Sequence, residues 1–147
     1  DTLRGVLEGE ILVQNHCYRA DEMAVVLDMA KEFGYHVTAF HHAVEAYKIA
    51  DLLKANDTCA AVWADWYGFK MEAYDAVPEN IPMVHNAGAC AIVHSDDANG
   101  IQRLNQEAAK ALGLRYRTQH CASRARKSAL KFSYPDGPAA ELADLLH

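Results

Sequence analysis

Four apolar runs in this chain each end in a side chain able to bind a cation or carry a proton. His16 closes "ILVQNH", His41 and His42 follow "YHVTAF", Asp65 and Trp66 follow "TCAAVWA", and His94-Ser95-Asp96-Asp97 follow "ACAIV". Imidazole nitrogens and carboxylate oxygens make a donor set suited to zinc and similar divalent ions. A lone histidine at such a point is more often a hydrogen-bonded loop residue. The recurrence is what carries weight, because parallel strands bring their ends within several ångströms of one another.

The elements that would position these residues follow from periodicity. A strand is expected at Glu10–Asn15 and a helix from Asp21 to Phe33, with Met23, Val26, Leu27 and Ala30 on the buried stripe and Gly34 as the left-handed stop. A second strand at Tyr35–Phe40 precedes a helix from Val44 to Ala55, ended by Asn56-Asp57. The third strand, Thr58–Ala64, is followed by the loop "DWYGFK" and a helix around Pro78–Asn86. The fourth strand, Ala89–Val93, leads to a helix from Gly100 to Leu112 that Gly113 should close. Strands alternating with helices imply parallel pairing, and short continuous apolar runs suit strands covered on both faces. In such sheets the chemistry sits at the carboxyl ends of the strands.

The 147 residues suggest one domain, which buries roughly two-thirds of the surface its unfolded chain exposes. Net charge is −6, which argues against nucleic acid as the main partner, and no apolar run approaches the roughly 18 residues of a membrane span. Cys17, Cys59, Cys90 and Cys121 are scattered without a CxxC, so free thiols are expected rather than disulfides, which favours a reducing, cytoplasmic compartment. The chain opens on Asp1 without a visible signal peptide and is expected to be a piece of something longer or a processed product.

Residues 8–113, through "VQNHCYRADEM", "FHHAVEAYKIADLL", "AVWADWYGFKMEAYDAVPEN" and "IVHSDDANGIQRLNQEAAKALG", resemble the carboxyl-terminal half of a metal-dependent amidohydrolase barrel, in particular its imidazolonepropionase-like branch. The resemblance implies an α/β fold in which the four units are strands five to eight of a (β/α)8 TIM-type barrel. It implies that His16, His42 (rather than His41) and Asp96 are metal-site residues, with one or two divalent ions, most simply zinc. A bound ion lowers the pKa of water from 15.7 to about 7. Asp96 would hold that water and shuttle its proton, and His42 would either ligate or hydrogen-bond the nucleophile or substrate oxygen. The reaction implied is hydrolysis of a C–N bond in an amide, cyclic amide or peptide-like small-molecule substrate.

Arg19, Trp66, Tyr67, Lys70 and His94 share the same rim and are candidates for substrate binding. Arg19 can grip a carboxylate in bidentate fashion, or pair with Asp21 or Glu22 at a helix start. Trp66 and Tyr67 also read as packing aromatics. Glu45 reads as the first-turn carboxylate of its own helix, His36 as structural, and Cys17 as a weak nucleophile without a paired base.

The family's first-strand His-x-His and fourth-strand bridging residue would lie upstream, so this chain carries part of a metal site and is expected to be inactive alone. An uncovered half-barrel exposes two strand edges, so the missing half or a second copy is an expected partner. The alternative function is a non-catalytic metal-binding or self-assembling half-barrel module. Residues 114–147 hold six of the fourteen cations, among them Arg115, Arg117 and Lys131, and are expected to form a divergent basic tail outside the barrel.

Overall fold

A computed structural model describes residues 1–66, 68–98 and 100–127, with side chains to residue 115. Strands β1 (Val13–Cys17), β2 (Val37–His42), β3 (Cys59–Val62) and β4 (Ala91–Val93) form one parallel sheet in the order β1-β2-β3-β4. Helices α1 (Thr2–Leu7), α2 (Ala20–Phe33), α3 (Ala50–Ala55), α4 (Asn80–Asn86) and α5 (Leu104–Lys127) are joined by short 3-10 turns at Ala46–Ile49, Met71–Ala73 and Ile101–Arg103. Four parallel strands in chain order, with helices between them, are consistent with part of a TIM-type barrel.

Helix α2 forms where the stripe predicts. Met23, Leu27 and Ala30 are buried against the sheet, and burying a Met or Leu side chain contributes about 1.5–3 kcal/mol each. Asp21 and Glu22 complement the helix dipole in the first turn, and Gly34 ends the helix at φ 74 with its N–H on the Ala30 carbonyl. Phe40, Ala60 and Val62 meet this layer from the sheet. The opposite face of the sheet is open at its edges: Gln14 and His16 on β1 and Ile92 on β4 are exposed. Pairing places His16, His41, Ala61 and Ile92 in one row across it.

Several boundaries differ from expectation. Strands β1 and β2 start later and run further, so that His16, His41 and His42 lie on the last rungs of the ladder rather than beyond it. The ladder continues because His16 pairs with His41 and Cys17 with His42. The expected Val44–Ala55 helix opens as a 3-10 turn. Helix α1, capped by Asp1 accepting from the Leu3 N–H at 3.1 Å, has no counterpart among the expected elements.

Gly113 does not stop α5, which continues to Lys127 across the expected boundary at 113/114. A mid-helix glycine costs about 1 kcal/mol, which good helix formers on both sides absorb. Lys131 lies outside the described residues.

The scattered-thiol expectation is overturned by a disulfide between Cys59 and Cys90. They stand side by side at the entries to β3 and β4, Cα atoms 4.5 Å apart, because Ala60 pairs with Ala91 next to them. The ground for favouring a reducing compartment goes with it. Among the described residues, no helix is long and apolar enough to cross a membrane.

Candidate active site

The carboxyl ends of β1 and β2 bring two imidazoles into direct contact. His16 Nδ1 and His42 Nε2 are 2.7 Å apart, and the ring centroids lie 4.6 Å apart in an edge-on arrangement. Alternation along β2 would turn His42 to the helix side, as it does Phe40. Instead His42 adopts φ 71 and Ala43 φ 39, a left-handed pair that swings the ring back over the mouth. Left-handed backbone at a non-glycine residue costs roughly 1–2 kcal/mol, so surrounding contacts must over-determine it.

Those contacts come from all sides. The His42 ring stacks on Tyr18 at 4.7 Å and lies 5.2 Å from Trp63 and 5.5 Å from His94, leaving the residue only 3% exposed. Below it, the Ala43 N–H donates to the Cys17 carbonyl at 2.9 Å and the Glu45 N–H to the Tyr18 carbonyl at 3.0 Å. Asn80, 2% exposed, donates to the carbonyls of Ala43 and Val44 at 3.0 and 2.8 Å and accepts from the Tyr47 N–H at 2.9 Å.

Burial disfavours the charged form of His42 and His94. Burial, aided by His16 and His94 and opposed by Asp96, pushes the His42 pKa from the ordinary 6.5 down to about 4. His94 is lowered by burial first and then by His41. Neutral imidazole is the form that binds a metal. The other His42 nitrogen, Nδ1, is buried without a hydrogen-bond partner and faces Asp96 Oδ2 at 3.8 Å.

The pair fits two positions in a cation's coordination shell. Two nitrogens on one tetrahedral zinc stand about 3.3 Å apart, so the two imidazole nitrogens would have to part by about 0.6 Å from their 2.7 Å contact to share an ion. Asp96 lies on the far side of the His42 ring, and among the described residues no group of three or more His, Cys, Asp or Glu side chains is arranged to hold a metal ion. This chain's own donors thus converge as two imidazoles with a carboxylate beside them.

The other expected residues divide. His94 stacks on Trp63 with its Nε2 buried and unpartnered, and Trp66 packs on Trp63 and Phe69 with centroids 4.9 and 4.7 Å away. Lys70 holds its ammonium 3.9 Å over the Tyr18 ring and pairs with Glu72 at 2.6 Å. Arg19 is gripped by Asp21 in an exposed bidentate pair at 2.9 and 3.0 Å, the helix-start alternative. Tyr67 lies outside the described residues. His41 hydrogen-bonds Gln14 at 2.9 Å, and His36 contacts the Asn56 and Asp57 carbonyls, a structural role.

Glu45 serves α2 as well as its own turn, accepting from the Ala20 N–H at 2.9 Å and pairing with Lys48 at 2.9 Å. Burial first, then Glu22, pushes the Cys17 thiol up to about 11, which removes it as a nucleophile.

A cavity of about 210 Å³ opens on the other side of Trp63 and His94, lined in part by Trp66, Ser95, Asp97 and Arg103; neither imidazole of the pair nor Asp96 lines it. A larger apolar one of about 660 Å³ lies between α4, β4 and α5, and none of the expected site residues lines it. Two supports escaped the sequence reading: Asn80, and Glu107, a buried carboxylate on α5 that accepts from the Ala64 N–H at 2.8 Å and so fixes the end of β3.

No protein-family model matches the chain. A curated protein, amidohydrolase tasK of Hapsidospora irregularis, is 31% identical over 123 residues, covering 79% of this chain and 12% of that protein. The crystal structure of an amidohydrolase from Thermotoga maritima MSB8 superposes with a TM-score of 0.64 at 25% identity, covering 76% of this chain and 28% of the other. The chain therefore spans well under a third of either relative. Both relatives are amidohydrolases, each matched over only a part of its length.

Proposed function

We propose that this chain belongs to a metal-dependent hydrolase of C–N bonds, of the imidazolonepropionase-like branch, and supplies strands five to eight of its barrel. The observation that carries the reading is the 2.7 Å approach of His16 Nδ1 and His42 Nε2 at the ends of adjacent parallel strands. Those two nitrogens would hold a divalent ion, most simply zinc, with further ligands from outside this chain. When bound, the ion supplies Lewis acidity and water that ionises near neutral pH.

Asp96, on the loop after β4, takes the proton from the attacking water and returns it to the leaving nitrogen as the C–N bond breaks. It stands 3.8 Å from His42 Nδ1, on the side of that ring away from His16, and would act from there. The neighbouring cavity accepts the substrate, an amide, cyclic amide or peptide-like small molecule. His94 and Trp66 line it, and Lys70, over the Tyr18 ring, and Arg19 are the proposed charged groups for substrate outside it.

Zinc retention by the 147-residue protein in equilibrium dialysis tests this. Affinity should fall at least about tenfold, or 1.4 kcal/mol, in both His16→Ala and His42→Ala. Unchanged retention in either variant sinks the proposal.

The exposed face bearing Gln14, His16 and Ile92 favours a second reading, a self-assembling half-barrel without chemistry of its own. A zinc-loaded dimer in size-exclusion chromatography that turns over no amide would support it against the first.

A further inference from the structure

We propose that Asn80 is the positioning residue of the imidazole pair, holding the left-handed backbone at His42 and Ala43 that aims His42 at His16. The proposal rests on reading that pair as the functional centre.

Ala43 and Val44 are buried, at 0% and 1% exposed, so the carbonyls that the left-handed turn points inward need donors from the protein. Asn80 Nδ2 spends both its hydrogens on them, and Asn80 Oδ1 takes the Tyr47 N–H from the next turn. Three of the four bonds an amide side chain can make are therefore directed at one short stretch, residues 43–47.

The aromatic cage of Tyr18 and Trp63 restrains the ring, whereas this amide ties together the backbone from which the ring projects. Asn80 sits at the start of α4, 37 residues along the chain from Ala43, so its contact with the turn is tertiary. A carboxylate of the same shape could not substitute, because Asn80→Asp would leave the Val44 carbonyl without a donor and the Ala43 carbonyl with only the Ala46 N–H, and would set a carboxylate oxygen against both.

The test reads the ring pair directly. In protein carrying 15N-histidine and no metal, the His16 Nδ1–His42 Nε2 hydrogen bond gives a through-bond nitrogen–nitrogen coupling. Wild type should show it, and Asn80→Ala should lose it while keeping its sheet amide resonances. Adding Ala43→Gly, which adopts the left-handed turn without strain, should restore part of it; a role confined to packing would not be rescued this way.

If Asn80→Ala does not fold, Asn80→Ser, which keeps one donor, gives the same reading with a weakened coupling. Coupling undiminished from wild type in a folded Asn80 variant overturns the proposal, as does failure of every Asn80 variant to fold, which would make the amide a support of the whole domain. Zinc plays no part in the measurement. A wild type that shows the coupling but binds no zinc would sink the hydrolase reading and leave the positioning role standing.

Discussion

Breaking the Cys59–Cys90 disulfide should lower stability by an amount set by the loop it closes. The two cysteines are 31 residues apart. The chain-entropy relation for a loop of that length gives about 3.7 kcal/mol at 25 °C. For a domain of this size each kcal/mol moves the melting midpoint by about 2–4 °C, so reduction should lower it by roughly 7–15 °C. The loss should concentrate on β4, which has three residues and pairs with β3 only through Ala60–Ala91, Ala61–Ile92 and Val62–Val93.

The assay is a thermal melt followed by circular dichroism, with and without a phosphine reductant, beside a Cys59→Ser, Cys90→Ser variant. Peptide mass spectrometry verifies the link in the untreated sample. A midpoint that moves by less than about 2 °C on verified reduction would refute the loop-closure argument. Two alkylatable thiols at these positions in the untreated protein would refute the pairing itself.

Three other outcomes follow from the buried groups. The unfolded chain protonates His42 near pH 6.5 and the folded one not until about 4, so its contribution is whole above pH 6.5 and lost as pH falls towards 4. That loss is about 3 kcal/mol in urea titrations at the two pH limits, and His42→Asn should flatten the slope. Glu107→Ala strands the Ala64 N–H and should lower the urea-derived stability by about 1–3 kcal/mol, with Glu107→Gln losing less. Iodoacetamide at pH 7 should leave the Cys17 peptide unmodified in the folded protein and label it in urea, because burial and Glu22 hold the thiol protonated.

The alternation of strands and helices was legible because each apolar run is short and each helix carries its stripe at the expected spacing, as Met23, Leu27 and Ala30 show. Placement of His16, His42 and His94 at one mouth was legible for the same reason, since parallel order fixes which strand ends are neighbours. The left-handed turn was not, because nothing in "HHAV" marks a positive φ where glycine is absent. Asn80 and Glu107 sit in the polar-looking stretches "PENIP" and "NQEAA", and only tertiary packing distinguishes a buried amide or carboxylate from a surface one. The disulfide was hidden because its partners become neighbours only once β3 and β4 are in register. Gly113 misled because a glycine ends a helix only when the following chain must turn.

The sheet's spatial order repeats its chain order, so each strand finds its partner in the unit synthesised immediately before it: Val37 beside Val13, Cys59 beside Ala39, Ala91 beside Ala60. Each pairing still spans a whole strand–helix unit, and non-local parallel pairing of this kind is slow to form. The imidazole pair is thus a contact that can exist only once the first two strand–helix units have closed on each other.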